Sequence, residues 1–260
     1  MLLGIDHIVV VVSDLEAATK NYERLGFTVI AGGKHPVGTH NSLISLADGS
    51  YIEIIAFYQA NPEHRWWQPL QKGEGLVDFC LRTDDLAGDT RKLRAAGVNI
   101  ADPVPWARTR PDGYELKWVL SLARGEHRGV APFLIEDVTP REERVPQKFD
   151  HKNGAAGIGA ITVAVEELES VRRWYESVLG KEGKAIRRDD IRAAGLRFSV
   201  GPHLFDLLKP TGPQSPLSAW LKARGPSPYA ATLRTKSGSA GTLDRSLTHG
   251  AALSFERFES

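Results

Sequence analysis

The sequence predicts an α+β fold: paired βαβββ units forming a cup-like half-barrel, followed by a second, incomplete domain of the same type. Three observations carry this reading. First, one plan recurs along the chain, and internal repetition is the strongest organisational signal a sequence offers. It reads IDHIVVVVSDLEAATKNYERLGFTV over 5–29, LVDFCLRTDDLAGDTRKLRAAGVNI over 76–100 and IGAITVAVEELESVRRWYESVLG over 158–180. A weaker copy begins at Tyr229, where Leu233-Arg234-Thr235 matches Leu81-Arg82-Thr83. Second, Leu15, Leu86 and Leu168 are equivalent, with gaps of 71 and 82 residues that pair the units. Third, the longer gap holds a polar, charged stretch, 139–156, whose composition suits a linker. Two domains follow, roughly 1–140 and 155–260.

Within each copy the order is strand, helix, strand. Residues 9–12 and 161–165 are β-branched runs of the kind strands favour. Ser13 or Asp14 is the expected N-cap of the first helix, and Leu15, Ala18, Tyr22 and Leu25 give it one apolar face. Gly26 stands where a left-handed C-terminal residue is wanted, as do Gly97 and Gly180 in later copies. Further strands are expected at 41–46 and 51–57 around Asp48-Gly49, at 117–122 and 132–138, and at 195–200 and 203–208. The fourth copy stops at Ser260 soon after its second strand and reads as truncated.

Composition narrows the function classes. With 33 Lys+Arg against 32 Asp+Glu, the net charge of +1 supplies no basic stripe for nucleic acid. No apolar run approaches the roughly 18 residues of a membrane span, so no membrane partner is expected. The single Cys80 forbids an internal disulfide, and the start lacks a basic leader, so a cytoplasmic location is the expectation. Cys80 lies in an expected strand and reads as inert core. No nucleophile elbow, phosphate loop or dinucleotide fingerprint is present.

Asp6-His7-Ile8-Val9, Ser13-Asp14-Leu15, Leu25-Gly26-Phe27 and Tyr51-Ile52-Glu53 resemble the layout of the vicinal oxygen chelate superfamily, in its glyoxalase-like branch. The superfamily includes glyoxalase, bleomycin-resistance proteins and extradiol dioxygenases. The resemblance implies a divalent metal on the floor of the cup, held by residues of the first and last strands of each unit. Carried over, the ligand positions fall on His7 and Glu53 in the first unit and on Asp78 and Glu136 in the second. Asp78 departs from the pattern, which more often has His, Gln or Glu there.

Charged strand residues in apolar company are costly to bury unless paired or metal-bound. One imidazole with three carboxylates suits a hard divalent ion or a catalytic zinc, so Fe, Mn, Zn, Ni or Mg is the expected cofactor. The resemblance to glyoxalase implies that one carboxylate, Glu53 or Glu136, leaves the metal to act as general base. Each residue has an ordinary alternative: a satisfied histidine near a strand start, or a solvent-facing carboxylate on an alternating strand. In the second domain Ala160, Ala230 and Asp206 stand at the positions of His7, Asp78 and Glu53, so no metal is expected there.

The stretch Gly32-Gly33-Lys34-His35-Pro36-Val37-Gly38-Thr39-His40-Asn41 resembles the family's glycine-rich segment, with His40 and Asn41 as substrate-binding candidates. A flexible loop is its alternative. Trp106 and Arg108 are further candidates: an aromatic wall, and a guanidinium for a carboxylate, together with Arg110. Core packing for Trp66, Trp67, Trp106 and Trp118, and a surface loop for the arginines, stand against this. Two functions remain. One is a metal-dependent lyase, isomerase or dioxygenase acting on a small oxygenated molecule. The other is a metal-free protein that sequesters a small molecule in a cup or at a homodimer interface.

Overall fold

The computed structural model describes residues 1–109, 113–236 and 239–258. The first unit comprises β1 (Leu2–Val11), α1 (Leu15–Arg24), β2 (Ile30–Lys34), β3 (Thr39–Ser45) and β4 (Tyr51–Phe57). A short α2 (Trp67–Gln71) leads into β5 (Gly75–Thr83), α3 (Leu86–Ala95), β6 (Val104–Thr109), β7 (Glu115–Ser121) and β8 (Phe133–Asp137). These strands form one eight-stranded sheet in the order β2-β3-β4-β1-β5-β8-β7-β6. β1 and β5 run antiparallel at its centre, and each has a parallel partner, β4 and β8. Ile8 pairs with Phe79 at the point about which the two units are related.

After α4 (Arg141–Arg144) the plan repeats as β9 (Ala155–Ala164), α5 (Leu168–Leu179), β10 (Lys184–Arg188), β11 (Ala193–Val200) and β12 (His203–Pro210). Then come α6 (Pro216–Arg224), β13 (Ser227–Thr235), β14 (Gly241–Thr242) and β15 (Ala252–Arg257). The second sheet has seven strands, ordered β10-β11-β12-β9-β13-β15-β14. β15 lies parallel to β13 as β8 does to β5. Among the described residues no helix joins them, so the fourth copy is the reduced one. Two details differ from the sequence reading. Trp106 and Arg108, at the start of the 106–111 stretch for which a surface loop was the competing expectation, lie in β6 and pair with Trp118 and Leu116 of β7. The segment 139–156 contains α4 and the first residues of β9.

Local signals act as their chemistry dictates. Asp14 caps α1, its Oδ1 accepting from the Glu16 and Ala17 amides at 2.9 and 3.0 Å. Ala18 and Tyr22 form the buried face of that helix. Gly26 then takes φ +88°, a conformation that a side chain would strain.

The helix-bearing faces of the two sheets share one core. Ile8, Ile54 and Phe79 of the first half pack in the same cluster as Tyr175, Phe205 and Leu253 of the second. The Phe79 and Phe205 rings lie 5.6 Å apart. Tyr22 and Tyr175, equivalent in the repeat, cross this seam reciprocally. Tyr22 donates to the Thr248 carbonyl at 3.2 Å and Tyr175 to the Val130 carbonyl at 2.9 Å. Burial pushes both phenols up, so they remain protonated donors. His203 closes the seam's edge, its Nδ1 accepting from the Ile5 amide at 2.9 Å. Gly4 permits this approach, since a Cβ there would meet His203 Nδ1 at 2.6 Å.

The other faces of the two sheets differ. α6 covers the second, where Leu217 joins Ala164, Ala193, Leu208 and Tyr229 in a small core. The matching connection in the first half is the five-residue α2, and the first cup stays open. Among the described residues, no helix is long and apolar enough to cross a membrane.

Replacing Tyr175 by Phe leaves the Val130 carbonyl without its donor, whereas the Thr248 carbonyl keeps the Ala251 amide at 3.2 Å when Tyr22 is replaced. Tyr175→Phe should lower the unfolding free energy by about 1–2 kcal/mol and Tyr22→Phe by less, measured by chemical denaturation. Unaltered stability of Tyr175→Phe would mean that the Val130 carbonyl finds another donor.

Candidate active site

Alternation along the strands of the first sheet decides which side chains enter the cup. His7 on β1, Asn41 on β3 and Glu53 on β4 face a cavity of about 140 Å³. Trp106, Trp118 and Phe133 enter from the second unit, and Arg65 and Trp66 from the connection before α2.

His7 is held from behind. Its Nδ1 lies 2.7 Å from Asp6 Oδ1, and its ring stacks on Tyr51 with centroids 4.5 Å apart. Asp6 is fully buried and takes 3.0 and 3.3 Å hydrogen bonds from Arg144, with a further one from Arg141. Burial alone would raise the Asp6 pKa. Arg144 and Arg141, then His7, overcome it and hold the carboxyl well below the usual range. Arg144 also donates to Asp137 at 2.5 and 3.1 Å and to the Tyr51 hydroxyl at 3.1 Å. With Asp6 ionised, Nδ1 of His7 is the donor and Nε2 is presented to the cup. Nε2 lies 3.6 Å from Glu53 Oε2. Glu53 Oε1 accepts from Asn41 Nδ2 at 2.6 Å, while Asn41 Oδ1 accepts from the Gly33 amide at 2.9 Å.

Of the four expected ligand positions, the structure brings His7 and Glu53 together. Asp78 occupies the register position equivalent to His7, but its carboxylate lies behind Arg65 and Trp66. Arg65 donates to Asp78 Oδ2 at 2.6 Å, Trp66 Nε1 to the same oxygen at 2.8 Å, and the Phe79 amide to Oδ1 at 3.1 Å. Glu136 points to the opposite face of the sheet, where its Oε2 accepts from the Leu86 amide at the start of α3, at 2.8 Å. Neither a ligand nor a general-base role in this cup fits that position. Register shows why the expectation misplaced it. Val9 pairs with Glu53 and Cys80 pairs with Phe133, and the offset of 71 that takes His7 to Asp78 takes Val9 to Cys80. The counterpart of Glu53 is therefore Phe133.

Of the expected substrate-binding candidates, Asn41, Trp106 and Arg108 line the cavity, whereas His40 does not. His40 alternates to the other face of β3, its ring edge-on to Tyr58 at 5.8 Å. Arg110 lies outside the described residues. Trp66, Trp106 and Trp118 are cavity walls where core packing was the competing expectation. His35, His64, Arg65 and Arg144 also line the cup and carried no site assignment. For His35 a signal existed: it stands four residues before Thr39, and its Nδ1 reaches Thr39 Oγ1 at 2.8 Å. Arg144 had none, because it sits in the expected linker.

In the second domain Thr162 pairs with Asp206 as Val9 does with Glu53. Asp206 is held by Arg197 through two hydrogen bonds of 2.6 and 2.7 Å. Ala160 and Ala230 fill the other two positions.

The donor set of the first cup falls short of a protein-built metal centre. A catalytic zinc takes three protein ligands and keeps an open position, and among the described residues no third ligand atom groups with His7 and Glu53. Among the described residues, Asp6, His7 and Cys80 form one cluster, with ligand atoms within 4.8 Å of one another. Asp6 is occupied by arginines, and burial pushes the Cys80 thiol well up, away from the thiolate a metal requires.

Burial also lowers the pKa of His35, and with Arg65 it lowers that of His64 to about 4. Both imidazoles are neutral at pH 7. An unfolded His64 would take a proton near 6.5, while the folded one resists until about 4. The unfolded state thus binds more protons in that window, and His64 makes stability fall as pH drops from 6.5 to 4. His64→Gln should flatten this part of the pH–stability curve, followed by denaturant midpoints at several pH values. An unchanged slope would show that the folded imidazole titrates normally.

A family model described as a glyoxalase-like domain matches residues 5–179. No curated protein matches. Among solved structures, a hypothetical protein from Staphylococcus aureus aligns with a TM-score of 0.73 at 16% identity, covering 99% of this chain and 100% of its own. A mutant of 4-hydroxymandelate synthase from Streptomyces coelicolor aligns with a TM-score of 0.65 at 16% identity, covering 90% and 71%. A fusion of a xylose isomerase-like TIM barrel with 4-hydroxyphenylpyruvate dioxygenase aligns at 0.57 and 15% identity, covering 91% and 37%. At these identities the likeness speaks to the fold alone.

Proposed function

The chain belongs to the glyoxalase-like domain family, and we propose that its first cup is a small-molecule site where Glu53 and His7 move a proton on a bound organic substrate. One observation carries this. Among the described residues Glu53 is the carboxylate lining the cavity, clamped by Asn41 and facing an imidazole whose far nitrogen is fixed by Asp6. With the His7 proton committed to Asp6, Nε2 and Glu53 Oε2 face each other as two acceptors across 3.6 Å, and one shared proton relieves them.

A substrate carbon next to a carbonyl would lose its proton to Glu53, its electron pair passing to the carbonyl oxygen. Where that carbon bears a hydroxyl, passage of the hydroxyl proton to the carbonyl oxygen and return of the carbon-bound proton to the former carbonyl carbon is an isomerisation; departure of a β-substituent with its bonding pair, as the carbonyl re-forms, is a lyase reaction. The aromatic walls exclude water and strengthen these interactions. Asn41 keeps Glu53 aimed, and Asp6 keeps His7 in one tautomer.

The measurement is α-carbon hydrogen exchange of 2-oxo acids in deuterated water, followed by NMR. The protein should accelerate exchange, and Glu53→Gln should reduce the rate by about 100-fold or more while ligands still bind. Exchange insensitive to Glu53→Gln would overturn the proposal. Ligand binding without exchange would favour the sequestering role.

A second reading keeps a divalent metal at the pair, with substrate oxygens as the remaining ligands. The 3.6 Å separation and the Asp6 hydrogen bond to the far nitrogen both favour it, since ligating imidazoles commonly have such a partner. Elemental analysis of protein purified without chelator separates the two readings. Metal present in the wild type and lost in His7→Ala supports the second, and its absence from an active wild type refutes it.

A further inference from the structure

Outside the cup the cavity widens into a mouth of about 440 Å³ that shares His64, Arg65 and Trp106 with the inner chamber. Its charged lining is Glu63, Arg65, Arg124 and Arg128. Asp78 neutralises Arg65 through one amino group, but the Arg65 Nε is buried without any acceptor. Glu63 and Arg124 are both exposed and solvated. Arg128 is different: it is half-buried, and among the described residues its guanidinium makes no hydrogen bond or ion pair. Burial lowers its pKa, the mark of a cation short of compensation, while Asp78 partly restores it.

Cations withdrawn from water and left unpaired are costly, and a guanidinium fork matches a carboxylate or phosphate. Deeper in, Trp66, Trp106 and Phe133 present apolar surface. We infer that the ligand of the first cup is an amphipathic organic acid, its apolar or aromatic body among these rings and its anionic head in the mouth on Arg128, beside Arg65. This rests on the cup being the binding site proposed above, and not on the proton transfer within it.

The test uses the full chain and two probes of one body, 3-phenylpropanoate and 3-phenylpropanamide, with 2-phenylethyl phosphate as a third head group. Titration calorimetry gives affinity, and quenching of tryptophan fluorescence reports entry among Trp66, Trp106 and Trp118. The acid should bind roughly tenfold tighter than the amide, and the advantage should shrink at high salt. Arg128→Gln, checked for an unchanged melting temperature, should remove the advantage while leaving amide affinity in place. The phosphate probe should follow the acid; a phosphate that binds tighter than the acid identifies the head as a phosphate and supports the same site. Equal affinity for acid and amide, no binding of either, or an acid preference that survives Arg128→Gln would overturn the inference. Glu53→Gln should keep the preference; no exchange by the wild type, or exchange unaltered by Glu53→Gln, with the preference intact overturns the proposed chemistry alone.

Discussion

Asp6 is a carboxylate with no exposed surface, one residue before the imidazole that faces the cup. A buried charge of this kind would cost several kcal/mol if left alone. Arg141 and Arg144 meet that cost, and both come from the short helix after β8. The same contacts draw in Asp137 and the Tyr51 hydroxyl. One requirement, neutralising Asp6, thus pins the exit of the first domain across the end of its sheet. It also decides which nitrogen of His7 is available. The chain between the domains is therefore part of the site.

The cup itself is asymmetric, although the units that build it are repeats. The first supplies the polar wall, with His7, Asn41 and Glu53. The second supplies the apolar wall, with Trp106, Trp118 and Phe133. Strand register makes the division sharp: the position that is a carboxylate on β4 is a phenylalanine on β8. Asp78, the acid of the second unit at the position of His7, is consumed by Arg65 and Trp66, so it serves the wall instead of the chamber. Such an arrangement suits a substrate with one reactive polar end and one apolar body.

Between the domains the same unit has two fates. The helix-bearing faces of both sheets are joined in one core, with equivalent tyrosines crossing it in both directions. The outward faces diverge because of connection length. Nine residues of α6 bury the second cup, whereas α2 is too short to reach into the first. On the second sheet, alanines and the arginine-bound Asp206 occupy the matching positions.

The repeat, the order of strands and helices and the capping of α1 by Asp14 were legible in the sequence, because hydrophobic period and turn chemistry are local properties. The pairing of His7 with Glu53 was legible too, since both lie on strands whose alternation is regular. Glu136 was misplaced because a one-residue change of parity reverses the face a strand residue occupies, and only pairing between strands sets that parity. His40 fell to the same ambiguity. What only the tertiary structure decided are the partners of buried charges: Arg65 for Asp78, and Arg144 for Asp6. These join residues 13 and 138 positions apart, and no periodicity marks them. They arise because a buried carboxylate takes whichever cation the fold brings within reach.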